Sequence, residues 1–136
     1  PWYLGPDHQN PARRDAFVAD WRGSMGPGGR SAWLNPPYGR GMGRWKVLAA
    51  RWGRVVPVVA LILSRTDLPW WDTVVMASAA EVRFVRGRVR FLHGVTGERA
   101  SGAPAPSLVI VWRPGIQGPP VVSTFRQERP PGRIAI

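Results

Sequence analysis

The sequence has no cysteine, one lysine and two histidines. The shortage of cysteine and that of histidine each exclude a class of protein or site. Without cysteine there is neither a disulfide framework nor a thiolate metal site. His8 and His93 alone make no ligand cluster, so we expect no metal cofactor. The longest apolar run, Val55 to Leu63, contains Pro57 and is far shorter than the roughly 20 residues of a membrane span. It predicts a buried strand, and we expect no membrane partner.

The chain length of 136 residues allows one domain with a modest core. It begins at Pro1 rather than Met, which suggests a fragment, and its amino terminus lacks the pattern of a secretory signal. The net charge of +11 indicates a polyanionic partner, and nucleic acid fits best. Because arginine supplies nearly all of this charge, a GC-rich gene could produce the same composition without selection for binding.

Apolar runs and capping residues predict alternating helices and strands in the first half of the chain. In order, we predict a helix over 12–21, a strand over 32–35, a helix over 44–51, a strand over 55–64 and a helix over 68–78. Trp45, Leu48 and Ala49 form the apolar side of the second of these helices, and Asp67 can cap the third.

The second half changes to a period of two. Residues 82–91 alternate between apolar and arginine side chains around Gly87, which predicts an antiparallel hairpin with one basic face. A last strand follows over 107–112, and Pro and Gly dominate from Gly115 onward. We therefore expect an α/β domain over 1–113 with a mixed sheet and an antiparallel C-terminal hairpin, then a poorly ordered tail over 114–136.

The most informative motif is Asn35-Pro36-Pro37-Tyr38, at the end of the first predicted strand. The Asn35 side-chain oxygen and the Pro36 carbonyl can accept both hydrogens of an amino group on a planar ring. The prolines fix the direction of the backbone, and Tyr38 can stack on the ring. Because the lone pair of such an amine is delocalised, proximity and orientation must supply much of the rate of its methylation.

A second polar segment, Ser64-Arg65-Thr66-Asp67, ends the next predicted strand. Ligands of α/β sheets bind beyond the carboxyl ends of the strands, so we expect this segment to lie beside Asn35. The structural alternatives are an incidental Pro-Pro turn for the motif and a helix cap for Thr66-Asp67.

These residues together resemble the phage-type DNA adenine-N6 methyltransferases. The resemblance covers about residues 15–112 and is carried by an ordered set of motifs rather than by one tetrapeptide, which glutamine and RNA methyltransferases share. The set is Asp15-Ala16-Phe17 with Trp21, Trp33 to Gly39, Trp45, Thr66-Asp67 with Trp70-Trp71, Gly87 to Phe91, and Pro104 to Ser107.

The resemblance implies a partial Rossmann-like fold, S-adenosylmethionine as cofactor and double-stranded DNA as substrate. It implies a protein encoded by a phage or prophage that acts in the host cytoplasm, and we favour a monomer. The implied catalytic residues are Asn35, Pro36, Pro37 and Tyr38, which would hold a flipped adenine. Asp15 and Phe17 would hold the cofactor adenine, Thr66, Asp67 and Trp71 would shape the DNA-binding rim, and Arg88 would reach a phosphate.

One departure from the family stands at the amino end. Nothing before Asp15 matches the family segment that contacts the methionine part of the cofactor, since Asp7 is followed by His8. We therefore expect the first strand of the sheet to be missing and this chain alone to bind the cofactor weakly. Asp15 can also be an ordinary exposed carboxylate, and Arg88 an ordinary solvated residue.

Two other functions stay open. The first is a methyltransferase acting on another planar amine, such as cytosine N4, RNA or a glutamine side chain, although Asn rather than Ser at position 35 argues against cytosine. The second is a basic, non-catalytic DNA-binding remnant on the same scaffold.

Overall fold

A computed structural model describes Gln9 and residues 15–25, 31–93, 95–116 and 118–126. Its elements, in chain order, are α1 (Trp21–Ser24), β1 (Ala32–Leu34), α2 (Met42–Gly53), β2 (Val58–Leu63), α3 (Trp71–Met76), β3 (Glu81–Arg86), β4 (Arg90–Leu92), β5 (Arg99–Gly102), β6 (Ser107–Trp112) and β7 (Val121–Arg126).

The central sheet has five strands in the order β1-β2-β6-β3-β7. β1 is parallel to β2 and β3 is parallel to β7, whereas β6 runs antiparallel between β2 and β3. The predicted α/β class with a mixed sheet is therefore confirmed. The carboxyl ends of β1, β2, β3 and β7 meet the amino end of β6 at one edge, which we call the site edge.

The two faces of this sheet are covered differently. Alternate residues of β2 point to opposite faces, so Val58, Ala60 and Ile62 join a large core cluster with the helices, and Leu61 joins a smaller cluster. The second cluster contains Val85, Val89 and Ala103 and lies under β4 and β5, which pair only with each other among the described strands. We call these sides the helix face and the ribbon face, and the β4–β5 pair the ribbon.

The helix α2 covers the centre of the helix face, as predicted, but extends further at both ends. Leu48 and Ala49 are buried, and so is Lys46, which was not among the expected core positions. At its end, Gly53 lies against Trp112 so closely that an added Cβ would collide with the Trp112 side chain. Glycine therefore brings α2 into direct contact with β6.

The third helix differs from the prediction in its start and its winding. Its π-helical segment begins at Trp71, and no side chain caps its first turn. The prediction that Asp67 caps this helix is wrong, because the Asp67 carboxylate instead accepts two hydrogen bonds from the Arg65 guanidinium. Thr73 Oγ1 donates to the Pro69 carbonyl at 3.0 Å, and this bond supports the wide first turn.

The predicted hairpin over residues 82–91 is wrong. Its first strand, β3, pairs with β6 and β7, and its second strand, β4, pairs with β5 in a separate two-stranded sheet. Gly87, at φ +81°, turns the chain out of the central sheet instead of returning it along β3. The segment 87–106 is thus an excursion that leaves and re-enters the sheet at the site edge.

Two further expectations are corrected at the ends of the chain. Residues 15–20 form turns and a bend, and helix α1 begins only at Trp21, so the predicted helix over 12–21 is wrong in its described part. Within the segment expected to be a poorly ordered tail, Val121–Arg126 forms β7 and pairs with the whole of β3. Positions 10–14 and 127–136 lie outside the described residues.

In the described part of the chain, no helix is both long and apolar enough to cross a bilayer. The same described residues bring no group of three or more His, Cys, Asp or Glu side chains together as metal ligands.

Candidate active site

The Asn-Pro-Pro-Tyr motif begins directly after β1 and lies at the site edge. Burial alternates along it, with Asn35 and Pro37 exposed, Pro36 buried and Tyr38 half-buried. The ring of Pro36 is therefore fixed in the protein while the Asn35 amide faces outward. Since proline also fixes φ, the two predicted acceptors are held on a rigid support.

Two glycines after the motif turn the chain back towards the sheet. Gly39 and Gly41 have φ values of +143° and +92°, which other residues rarely adopt. Gly41 occupies the N-cap position of α2, and its carbonyl accepts a hydrogen bond from the Arg44 N–H at 3.0 Å. This turn carries the chain from the site edge onto the helix face.

Tyr38 reaches from the end of β1 towards the ribbon face. Its ring lies 6.2 Å from the ring of Phe91 in β4, centroid to centroid, and the planes are tilted by 56°. Its hydroxyl is buried near the Ser107 hydroxyl at the start of β6, yet neither group makes a well-formed hydrogen bond. Burial raises the pKa of Tyr38, and the nearby Ser107 hydroxyl offsets part of that rise.

The end of β2 supplies the second polar segment, beside the motif. The Ser64 N–H donates to the Pro106 carbonyl at 2.8 Å, which joins this strand end to the residue before β6. Arg65 Nε and Nη2 each donate to the Asp67 carboxylate at 3.0 Å. These hydrogen bonds lower the pKa of Asp67, and both side chains remain exposed. Thr66 is exposed between them.

A buried cation lies behind this rim. The Lys46 side chain is buried, and its Nζ stands 3.1 Å from the centroid of the Trp70 ring. Loss of hydration, followed by repulsion from Arg65, lowers the pKa of Lys46 to about 8. Trp70 in turn packs edge-on against Trp71, at 6.1 Å between centroids. Trp71, predicted to shape the rim, is half-buried against the helix-face core.

The predicted cofactor residues lie on the helix face, against α2. Asp15 Oδ1 accepts a hydrogen bond from the Phe17 N–H at 2.8 Å, and the Asp15 side chain is exposed. The Phe17 ring lies 4.5 Å from the Trp45 ring, and the Arg44 guanidinium stands over it at 4.7 Å. Phe17 therefore contacts the first turns of α2.

Arg88, the predicted phosphate contact, is exposed just beyond β3. The structure thus brings Asn35, Tyr38 and the segment 64–67 to one edge of the sheet and places Arg88 at the base of the ribbon. Phe17 packs against the first turns of α2, which follow the motif in the chain, and Asp15 accepts a hydrogen bond from the Phe17 N–H.

Sequence reasoning missed three residues near these positions, which are Lys46, Phe91 and Ser107. Helical spacing places Lys46 on the same side of α2 as Ala49 and Gly53, so periodicity indicated that Lys46 is buried, whereas its charge argued against burial. Phe91 was recognised only as an apolar strand residue, and Ser107 only as part of a family motif. Their approach to Tyr38 depends on the pairing of distant strands.

A cleft of about 570 Å³ lies at the opposite edge of the sheet, between the end of α2 and the end of β6. Arg54, Ser78 and Trp112 contribute to its lining, and none of the predicted site residues does. The candidate site at the site edge is therefore separate from this cleft.

Comparisons with known proteins give one match. The model of the family described as DNA N-6-adenine-methyltransferase (Dam) matches residues 8–129. Neither curated proteins nor solved structures give a match. The family match covers the motif, both parallel strand ends, the ribbon and β7, which is most of the chain. The chain therefore belongs to the DNA N-6-adenine-methyltransferase (Dam) family.

Proposed function

We propose that this protein transfers a methyl group from S-adenosylmethionine to the exocyclic N6 of adenine in double-stranded DNA. The observation that carries the proposal is the outward-facing Asn35 beside the buried Pro36 at the carboxyl end of β1. This arrangement supplies two fixed hydrogen-bond acceptors at the edge where α/β sheets bind ligands. Membership of the Dam family supports adenine in DNA as the substrate.

The role of the motif is to aim a weak nucleophile. The Asn35 Oδ1 and the Pro36 carbonyl accept one N6 hydrogen each, which holds the nitrogen in line for attack. S-adenosylmethionine, when bound, supplies the electrophilic methyl group. The amino nitrogen would gain the methyl group as the bond between that methyl and the cofactor sulfur breaks, with the bonding pair staying on sulfur; the nitrogen would become positively charged and then lose a proton to solvent. The two acceptors stabilise that developing charge because they already point at it.

The adenine must leave the DNA stack to reach these acceptors. Tyr38 is half-buried, so part of its ring stays accessible at the site edge while its hydroxyl is buried. Contact with Phe91 fixes the tilt of that ring. A stacked purine on Tyr38 would contribute about 1–3 kcal/mol. Thr66, Asp67 and Trp71 then form the rim past which the base enters.

The described residues fit the adenine end of the cofactor. Asp15 keeps an exposed carboxylate that can accept a hydrogen bond from an adenine amino group, and Phe17 offers an aromatic ring next to it. Arg44, which stands over that ring, is itself exposed, so a purine can displace it. These two residues would orient the cofactor from the helix face.

The test is methyl transfer to unmethylated plasmid DNA with tritiated S-adenosylmethionine at saturating concentration, with the product nucleoside identified by mass spectrometry. We expect N6-methyladenine. Asn35→Ala should cost about 3 kcal/mol of transition-state stabilisation, a loss of roughly 100-fold in rate or more. Ser123→Ala on the exposed strand β7 is the matched control and should leave the rate unchanged.

Other products would select other functions. Methylated cytosine, RNA or protein would overturn adenine as the target but keep the aiming role of Asn35. Tight DNA binding with no transfer to any substrate would select the non-catalytic alternative. Near-normal turnover by Asn35→Ala would show that this residue does not hold the amine.

A further inference from the structure

The ribbon presents a mixed basic and apolar surface away from the protein. Within β4, Phe91 faces Tyr38, so its neighbours Arg90 and Leu92 point to the other side by strand alternation. Arg90 is exposed, and Leu92 is 61% exposed. A strand residue with a large apolar side chain is thus left in solvent beside an arginine.

The partner strand extends this surface. Arg99 of β5 stands opposite Leu92, and Gly102 stands opposite Arg90. Gly102 has no side chain to cover Arg90, and the Cβ of Arg88 approaches this same glycine. Arg90 and Arg99 are therefore exposed next to the exposed Leu92, and Arg88 is exposed at the base of the ribbon.

At the tip of the ribbon, hydrogen bonds join His93, Thr96 and Glu98 to one another. His93 and Glu98 are joined by a backbone hydrogen bond of 2.8 Å, and the His93 ring accepts from the Thr96 N–H at 3.2 Å. Glu98, the acidic residue here, accepts a hydrogen bond from Thr96 Oγ1 at 3.3 Å. Val95 stands out from this turn with 92% of its surface exposed.

The base of the ribbon is fixed to the sheet. The Ala103 N–H donates to the Val89 carbonyl at 2.8 Å, and both side chains are buried against Leu61 and Val85. The ribbon is thus anchored to the sheet at its base and carries hydrogen bonds of its own at its tip.

From this geometry we infer that the ribbon enters a groove of the duplex beside the target adenine, with Arg88, Arg90 and Arg99 on phosphates and Leu92 and Val95 against the bases. The inference rests on the proposed function for the position of the adenine. A two-stranded ribbon fits the major groove, where apolar side chains can contact thymine methyl groups. The arginines next to Leu92 are positively charged and complement the phosphates that border the groove.

The reach of the ribbon sets the distance from the target base. Val95 is four residues beyond Phe91, which corresponds to at most about 13 Å of extended strand. At about 3.4 Å per base pair, the tip contacts lie within roughly four base pairs of the adenine held at Tyr38.

Binding of the full chain to a fluorescent duplex, followed by anisotropy over a range of salt concentrations, tests the phosphate contacts. The double variant Arg90→Gln/Arg99→Gln should bind at least about tenfold more weakly, and its slope of log affinity against log salt should fall in magnitude by about two. The matched control is Arg51→Gln/Arg54→Gln at the end of α2, away from the site edge, which should keep the original slope. Equal losses in both variants would overturn the inference.

The absence of cysteine allows a second measurement, because Val95→Cys and Ser123→Cys each carry a single thiol. A DNA-cleaving probe attached at position 95 should cut within about four base pairs of the methylated adenine, and the same probe at position 123 on β7 should not. Scattered cuts from position 95 would overturn the ribbon contact even where N6-methyladenine is formed. Cuts clustered within the bound site, without any methylated product, would support the ribbon contact and reject the proposed function.

Discussion

The helix face and the ribbon face of the central sheet differ in how many buried apolar residues they carry. Among the residues that the structure describes, seventeen buried ones form one cluster on the helix face, which includes Ile62, Ile110 and Trp112. On the ribbon face, the cluster of buried residues consists of Leu61, Val85, Val89 and Ala103. Because apolar burial is the main favourable term in folding, the larger cluster on the helix face supplies more of the stability than the cluster on the ribbon face.

The sharpest way to break this comparison uses two neighbours in β2. Ile62→Ala removes atoms from the fully buried helix face and should lower the free energy of unfolding by about 4 kcal/mol. Leu61→Ala on the ribbon face removes a similar volume from a smaller cluster and should cost about 2 kcal/mol. Urea unfolding followed by tryptophan fluorescence measures both. Equal costs would mean that the faces contribute alike.

A second comparison lies within α2. Gly53→Ala places a methyl group into Trp112 and should destabilise the fold by about 1–3 kcal/mol, since neither the helix nor β6 can move away freely. Gly43→Ala, in the same helix, meets nothing within 4 Å and should stabilise by about 0.5–1 kcal/mol. Thermal unfolding of the two variants should therefore shift in opposite directions. A stabilising Gly53→Ala would show that the packing at Trp112 is loose.

Lys46 gives the helix face a pH dependence. Its pKa is about 8 in the fold and 10.5 ordinarily, so below about pH 8 both states hold the proton and the fold bears the full cost of the buried charge. Between pH 8 and 10.5 the unfolded state binds more protons, and stability rises with pH. The stability advantage of Lys46→Met over the wild type should therefore shrink across this range, by on the order of 1 kcal/mol. Parallel urea titrations at pH 7 and pH 10 measure it, and a constant difference would contradict the burial of the charge.

The smallest expected effect belongs to the ribbon face. Tyr38→Phe removes a buried hydroxyl that has no well-formed hydrogen bond, so stability should stay unchanged or rise by up to about 1 kcal/mol. Ser107→Ala is the matched change at the facing hydroxyl, and the double variant should equal the sum of the two. A clear loss in Tyr38→Phe, measured by urea unfolding, would show that the two hydroxyls do stabilise each other.

Local patterns predicted the strands that end at the motif and at Trp112, because a short apolar run bounded by turn residues has few alternatives. They failed where pairing partners are distant. Residues 82–91 alternate as a hairpin would, but β3 pairs instead with β6, some twenty residues later. Val121–Arg126 was missed because Pro and Gly dominate around it, and its strand depends on the edge that β3 offers. The π-helical winding of α3 was also missed, because the spacing of its apolar residues does not distinguish it from an α-helix.

The predicted placement of Asn35 and the segment 64–67 at one edge of the sheet is confirmed by the strand directions. Asn35 and the segment 64–67 meet at one edge because parallel strands end on the same side, and that rule needs no side-chain detail. Helical spacing indicated a buried Lys46 but not its contact with Trp70, which belongs to a separate element. No local pattern indicated that Phe91 approaches Tyr38, because that contact depends on the pairing of distant strands.

The excursion between β3 and β6 has a consequence for how such proteins diversify. Those two strands pair directly with each other, and the chain leaves and rejoins them at the same edge. A longer, shorter or differently charged loop can therefore replace residues 87–106 without altering the register of any central strand. Under the functions proposed for Asn35 and for the ribbon, methyl transfer and the choice of DNA sequence could then change independently of each other.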